Sequence, residues 1–157
     1  MNNGIHVHEI NPYYVHALAE HRELHTAIER IRSLLNSDLT GDAAALKGIE
    51  ATHAVLALRD HLRRHFTQEE AGGYLEEAVT RLPRIAPQAS ALQRQHRELL
   101  DAVERLLPNP DAVVSGKTAL ATMKDEFEIF VRRLLAHEAA ENVLLEQAFN
   151  EAPGLDP

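Results

Sequence analysis

The chain has 157 residues, no cysteine and a formal charge of −8, which excludes disulfides, thiolate metal sites and thiol chemistry and leaves no basic stripe for nucleic acid. Apolar residues make up 45% but aromatics only 4%, a bias toward helix, and 157 residues suit a single domain. No uncharged stretch approaches a membrane span and Met1–Ile10 lacks the order of a secretory leader, so a cytoplasmic protein with no membrane partner is expected.

Residues 1–10 show no period and are expected to form a flexible arm, with His6 and His8 on it. Asn11-Pro12 supplies a cap followed by proline at the first helical position, and a helical domain is expected over 11–152, with 153–157 as a tail. His21, Leu24, Ile28, Ile31 and Leu35, three and four apart, predict a first helix with a histidine in its buried seam, ending near Asn36-Ser37-Asp38. Asp42 opens a long second helix reaching about Val79, with Ala51, Val55, Leu58, Leu62, His65, Glu69 and Gly72 on one stripe and a bend or fray at Gly72-Gly73. Pro83 and Pro87 mark a connector. A third helix carries Leu92, His96, Leu99, Val103 and Leu106, and a fourth carries Met123, Phe127, Phe130, Leu134, His137, Glu141, Leu144 and Ala148. The expected fold is all-α, an up-down-up-down antiparallel four-helix bundle.

The halves repeat one another. His21-Arg22-Glu23-Leu24 returns as His96-Arg97-Glu98-Leu99 after 75 residues, and the H-x-x-x-E of His65 and Glu69 returns as His137 and Glu141 after 72. Residues i and i+4 share a helix face, so each H-x-x-x-E pair can present an imidazole nitrogen and a carboxylate to one metal. Polar groups on a seam are costly unless bonded, and one metal-binding layer accounts for all six residues. If Glu69 and Glu141 each bridge two ions, every ion receives two histidines and two carboxylate oxygens and keeps open positions. Nitrogen and oxygen donors without sulfur suit iron or manganese, with zinc also open; iron fits best because open, redox-capable positions would otherwise lack a use.

The order His, H-x-x-x-E, His, H-x-x-x-E over four helices resembles the hemerythrin-like (HHE cation-binding) family, over residues 11–150. The resemblance implies a non-haem di-iron centre with His21, His65, His96 and His137 as terminal ligands and Glu69 and Glu141 as bridges. It implies binding or sensing of oxygen or another small diatomic. The alternatives are an enzyme acting on peroxide or nitric oxide or in iron–sulfur cluster repair, and, less favoured, a structural zinc bundle. Leu92 stands where oxygen carriers of the family have an extra histidine, and H-x-x-x-E replaces their H-x-x-x-x-D, which turns the expectation away from a simple carrier.

His25 and His61 each lie one turn from a seam histidine, and the second half replaces them with Leu100 and Arg133. They are expected to face each other as an extra ligand or as hydrogen-bond partners to one. His16 and His53 are expected at the surface or boundary. Glu70 and Glu138 are expected on a solvated face, although Glu138 could orient a ligand. Tyr13, Tyr14 and Tyr74 are expected to pack at the core boundary.

Overall fold

The computed structural model describes residues 12–37, 40–109 and 116–150. The N-terminal arm with His6 and His8, the C-terminal tail and the side chains of Tyr13 and Tyr14 lie outside the described residues. Every element is helical: α1 (Pro12–Leu35), α2 (Asp42–Glu70), α3 (Tyr74–Arg81), a single 3-10 turn (Pro83–Ile85), α4 (Ala86–Arg105) and α5 (Gly116–Asn150). None of them is long and apolar enough to cross a membrane.

The four long helices form because each carries one apolar stripe at helical spacing. Leu24, Ile28, Ile31 and Leu35 of α1, Ala51, Val55, Leu58 and Leu62 of α2, Leu99 and Val103 of α4, and Met123, Phe127, Phe130 and Leu134 of α5 meet in one buried cluster. Each large side chain so buried contributes roughly 1.5–3 kcal/mol. A second cluster gathers Ala17, Tyr74, Leu75, Ala78, Ile85, Ala89, Leu92, Leu144, Leu145 and Ala148. On α1, α4 and α5 the expected polar seam residues fall between the two clusters, and on α2 they follow the first cluster's Leu62 and flank its Phe66, so the chain buries a polar layer with apolar packing on either side.

Contacts link α1 with α2 and α5, and α4 with α2 and α5. Between α1 and α5 they pair His21 with Glu141, His25 with Glu138 and Arg32 with Glu128. Between α2 and α4, Glu70 meets His96 and Arg63 meets Glu104. Gln95 and Glu98 of α4 meet His137 and Arg133 of α5. In each pair the residue number rises on one helix as it falls on the other. The Arg32 guanidinium grips both oxygens of Glu128 at 2.9 Å, tying α1 to α5 far from the polar layer.

The second helix is shorter than the pattern predicts. It stops at Glu70, and the stretch expected to continue to Val79 restarts as α3 at Tyr74. Gly72 takes φ +79°, a left-handed conformation that side chains resist. A Cβ on Gly73 would overlap the Gln68 carbonyl oxygen and come within 2.8 Å of Glu69 Cα. Two glycines therefore permit a fold-back that swings α3 across the bundle end, where it touches all four long helices. Gly73→Ala is expected to lower stability by about 1–3 kcal/mol, the usual cost of overpacking, and thermal melting of the metal-free protein measures it.

Candidate metal centre

His21 of α1, His65 and Glu69 of α2, His96 of α4, and His137 and Glu141 of α5 converge in the polar layer, each only 0–5% exposed. They form two groups of four, His21-His65-Glu69-Glu141 and Glu69-His96-His137-Glu141. Within each group one nitrogen or oxygen of every residue lies within 4.8 Å of the others. The two carboxylates belong to both groups. His65 Nε2 lies 2.5 Å from Glu69 Oε1, His96 Nε2 3.1 Å from Glu69 Oε2, and His21 Nε2 3.1 Å from Glu141 Oε2. Phe66 stacks flat on the His96 ring at 4.0 Å and shields the layer on that side.

The outer ring nitrogens are held in a pattern the sequence reading did not anticipate. His96 Nδ1 bonds Glu70 Oε1 at 2.8 Å, and His137 Nδ1 bonds Gln95 Oε1 at 3.0 Å. Glu20 Oε2 approaches His65 Nδ1 at 3.6 Å. Each supporting residue is the sequence neighbour of a cluster residue and reaches across to the next helix. When Nδ1 of His96 and of His137 donates, the Nε2 lone pair remains free to face the centre, the tautomer that a metal requires. His21 lacks such support: its Nδ1 is buried without a hydrogen-bond partner, as is Oδ1 of Asn142, the residue that the 72-residue offset equates with Glu70.

His25 and His61 join neither group of four and take separate carboxylate partners. His25 Nε2 meets Glu138 Oε2 at 2.6 Å, with the imidazole 53% exposed, and His61 Nε2 meets Glu20 Oε2 at 3.4 Å. Glu138 is buried rather than on a solvated face, and Glu70 spends one oxygen on His96. His16 and His53 are exposed. Tyr74, expected as packing, is buried with its hydroxyl donating to Glu69 Oε1, a contact that exists because the chain folds back at Gly72-Gly73.

Burial would raise the Glu69 carboxyl, but the bonds from His65, the adjacent His96 ring and Tyr74 prevail and hold it far below the ordinary range. Glu141 goes the other way: burial first, then the charge of Glu69, push it well above that range. Burial opposes protonation of His65 and His96, yet Glu69 raises both. His137 is held down to about 4 by burial and by the neighbouring His96. Burial and the two glutamates drive the Tyr74 phenol far up, so it stays a neutral donor. The layer thus favours charge on one carboxylate and the neutral form of the other, with the imidazoles beside Glu69 drawn toward protonation.

That balance leaves gaps of the kind a cation fills. His137 Nε2 and Glu141 Oε1 are buried with no hydrogen-bond partner, and Glu69 Oε2 and His96 Nε2, buried 3.1 Å apart, make no well-aligned hydrogen bond. At roughly 1–3 kcal/mol for each unsatisfied buried group, the two unpartnered atoms alone cost a sizeable part of a domain's net stability. All four belong to residues of one group, a nitrogen and oxygen donor set with no sulfur, so the buried histidines and glutamates can hold a metal ion. Compared with protein-family models, curated proteins and solved structures, the chain gives no match. Tyr74→Phe is expected to lower the stability of the metal-free protein by about 1–3 kcal/mol by removing a donor from a buried carboxylate, read as a shift of the urea midpoint with an unchanged slope.

Proposed function

We propose that the chain is a hemerythrin-like non-haem di-iron protein that binds or senses oxygen or another small diatomic. The observation that carries this reading is that Glu69 and Glu141 are common to two four-residue groups, each with its own pair of histidines. His21 and His65 would hold one ion and His96 and His137 the other, with Glu69 and Glu141 available to both, so every donor would be used. The opposed numbering of cross-helix contacts supports an up-down-up-down antiparallel bundle, the architecture such a centre needs to bring four helices to one level.

Iron, when bound, supplies a redox-active centre with positions left for a small ligand. The chain's own residues do the rest. Glu70 and Gln95 fix the imidazoles of His96 and His137, Tyr74 fixes one oxygen of Glu69, and Phe66 with the two apolar clusters keeps bulk water out. Turnover of peroxide or nitric oxide is the second reading, favoured by Tyr74, whose phenol is a hydrogen donor in contact with a bridging carboxylate. Manganese fits the same donors, and zinc would leave the open positions without redox use.

Metal analysis of the purified chain is expected to give two iron per chain, with visible absorption that changes on adding azide or nitric oxide. Glu141→Gln is expected to lose at least one iron. Its metal-free melting temperature should stay at or above the parent's, because burial and the charge of Glu69 already favour the neutral form of Glu141. A single zinc per chain, with no absorption change, overturns the di-iron reading.

A further inference from the structure

An interior centre whose ligands are 0–5% exposed needs a way in for its ions. Directly outside His65, α1 and α2 bring Glu20, Glu23 and His61 together, one donor atom of each within 4.8 Å of the others. His61 Nε2 stands 3.4 Å from Glu20 Oε2 and 4.0 Å from Glu23 Oε2. The side chains of Glu20 and His61 are 20% exposed and that of Glu23 67%, so the group is seated in the surface and open on one side. His16 adds a further imidazole, 3.9 Å from Glu20 Oε1.

Two separate observations point from this group to a cation. First, the buried ring of His65 aims its Nδ1 at the group, at 3.6 Å from Glu20 Oε2, too far for a hydrogen bond. Second, the duplicated half shows what the arrangement lacks. The repeat equates Glu23 with Glu98 and His61 with Arg133, and there Arg133 places a guanidinium 3.2 Å from Glu98. In the first half Glu20 and Glu23 have no arginine or lysine partner among the described residues; their partners are histidines. Where one half carries a fixed positive charge, the other offers carboxylate and imidazole donors suited to a divalent first-row metal ion.

We propose that Glu20, Glu23 and His61 form a surface site for a divalent metal ion, and that Glu20, shared between this site and His65, hands the ion inward to the buried centre. The surface site stands on its own residues; the hand-over rests on the di-metal reading above. Glu20 Oε2 faces His61 on one side and His65 on the other, so an ion held between Glu20 and His61 needs only a short displacement along α2 to reach the first buried group.

The test uses the full-length metal-free chain under anaerobic conditions, with Co²⁺ and then Fe²⁺ as probes. Calorimetric and spectroscopic titration is expected to show two tight ions and a third, weaker one. His61→Arg copies the solution of the other half and so preserves the fold, and Glu23→Gln changes an exposed side chain. Both are expected to lose the third ion and to slow filling of the buried centre by about 10-fold or more, while still ending with two ions inside. Two interior ions filling at the parent's rate in both variants, with no third ion in the parent, overturn the surface site and leave the interior reading standing. A parent chain that takes up the third ion alone supports the surface site and overturns the di-metal reading and the hand-over with it. A parent chain that takes up no ion at all overturns both.

Discussion

Two carboxylates pressed together inside an apolar bundle set the terms for the rest of the molecule. Donor atoms of Glu69 and Glu141 fall within 4.8 Å of each other, with apolar clusters on either side. Two like charges at that distance repel by roughly 3 kcal/mol even at an effective dielectric of about 20. The imidazoles and the phenol lower the Glu69 carboxyl, while burial and the charge of Glu69 raise that of Glu141, so the two are driven apart. A dication between them reverses the sign of the interaction, since both oxygens then face positive charge and both can ionise. Metal binds the deprotonated forms of these side chains, so occupancy of such a centre and proton release would be one equilibrium.

The seams were legible in the sequence because burial on a helix has a period, and a polar residue at an apolar position in that period is conspicuous. His21, His65, Glu69, His96, His137 and Glu141 all stood out in this way, and the duplication removed the ambiguity of any single H-x-x-x-E. What lay between helices was not legible. Glu20, Glu70 and Gln95 sit one position away from seam residues, where a pattern reading places solvent-facing side chains. Only the packing of a neighbouring helix decides whether such a side chain ends in water or on an imidazole nitrogen. For the same reason His25 and His61 take Glu138 and Glu20 as their partners, which no pattern on a single helix could show.

The break after α2 was half visible. Gly72-Gly73 marked a weak point, but the residues beyond it kept enough apolar spacing to suggest a continuous helix. Close approach settles the matter: at Gly73 the backbone runs so near Gln68 and Glu69 that no side chain fits. A straight helix would carry Tyr74 past the polar layer; the fold-back instead brings its hydroxyl onto Glu69. The same turn closes the bundle end with Leu75 and Ala78, so one backbone device both seals the layer and supplies it with a donor.

Duplication explains the layer, and its imperfections explain why the two halves differ. A strict copy would support all four outer ring nitrogens from the next helix, and three of the four have a polar group facing them. The fourth position fails at His21, because Asn142 replaces the glutamate that serves His96 and its Oδ1 stays unpartnered. Glu138 of α5 turns to His25 instead. His21 is therefore the cluster histidine least fixed by its surroundings, and it sits in the half where Glu20 and Glu23 face histidines rather than an arginine. The second half is the opposite case: Gln95 and Glu70 clamp both of its histidines, and Arg133 occupies Glu98 outside them. A ring clamped at Nδ1 keeps its Nε2 aimed at a fixed point, whereas an unclamped ring can turn as an ion arrives or departs. In the proposed two-ion centre, the rigid half would hold an ion in constant geometry and the looser half would exchange one.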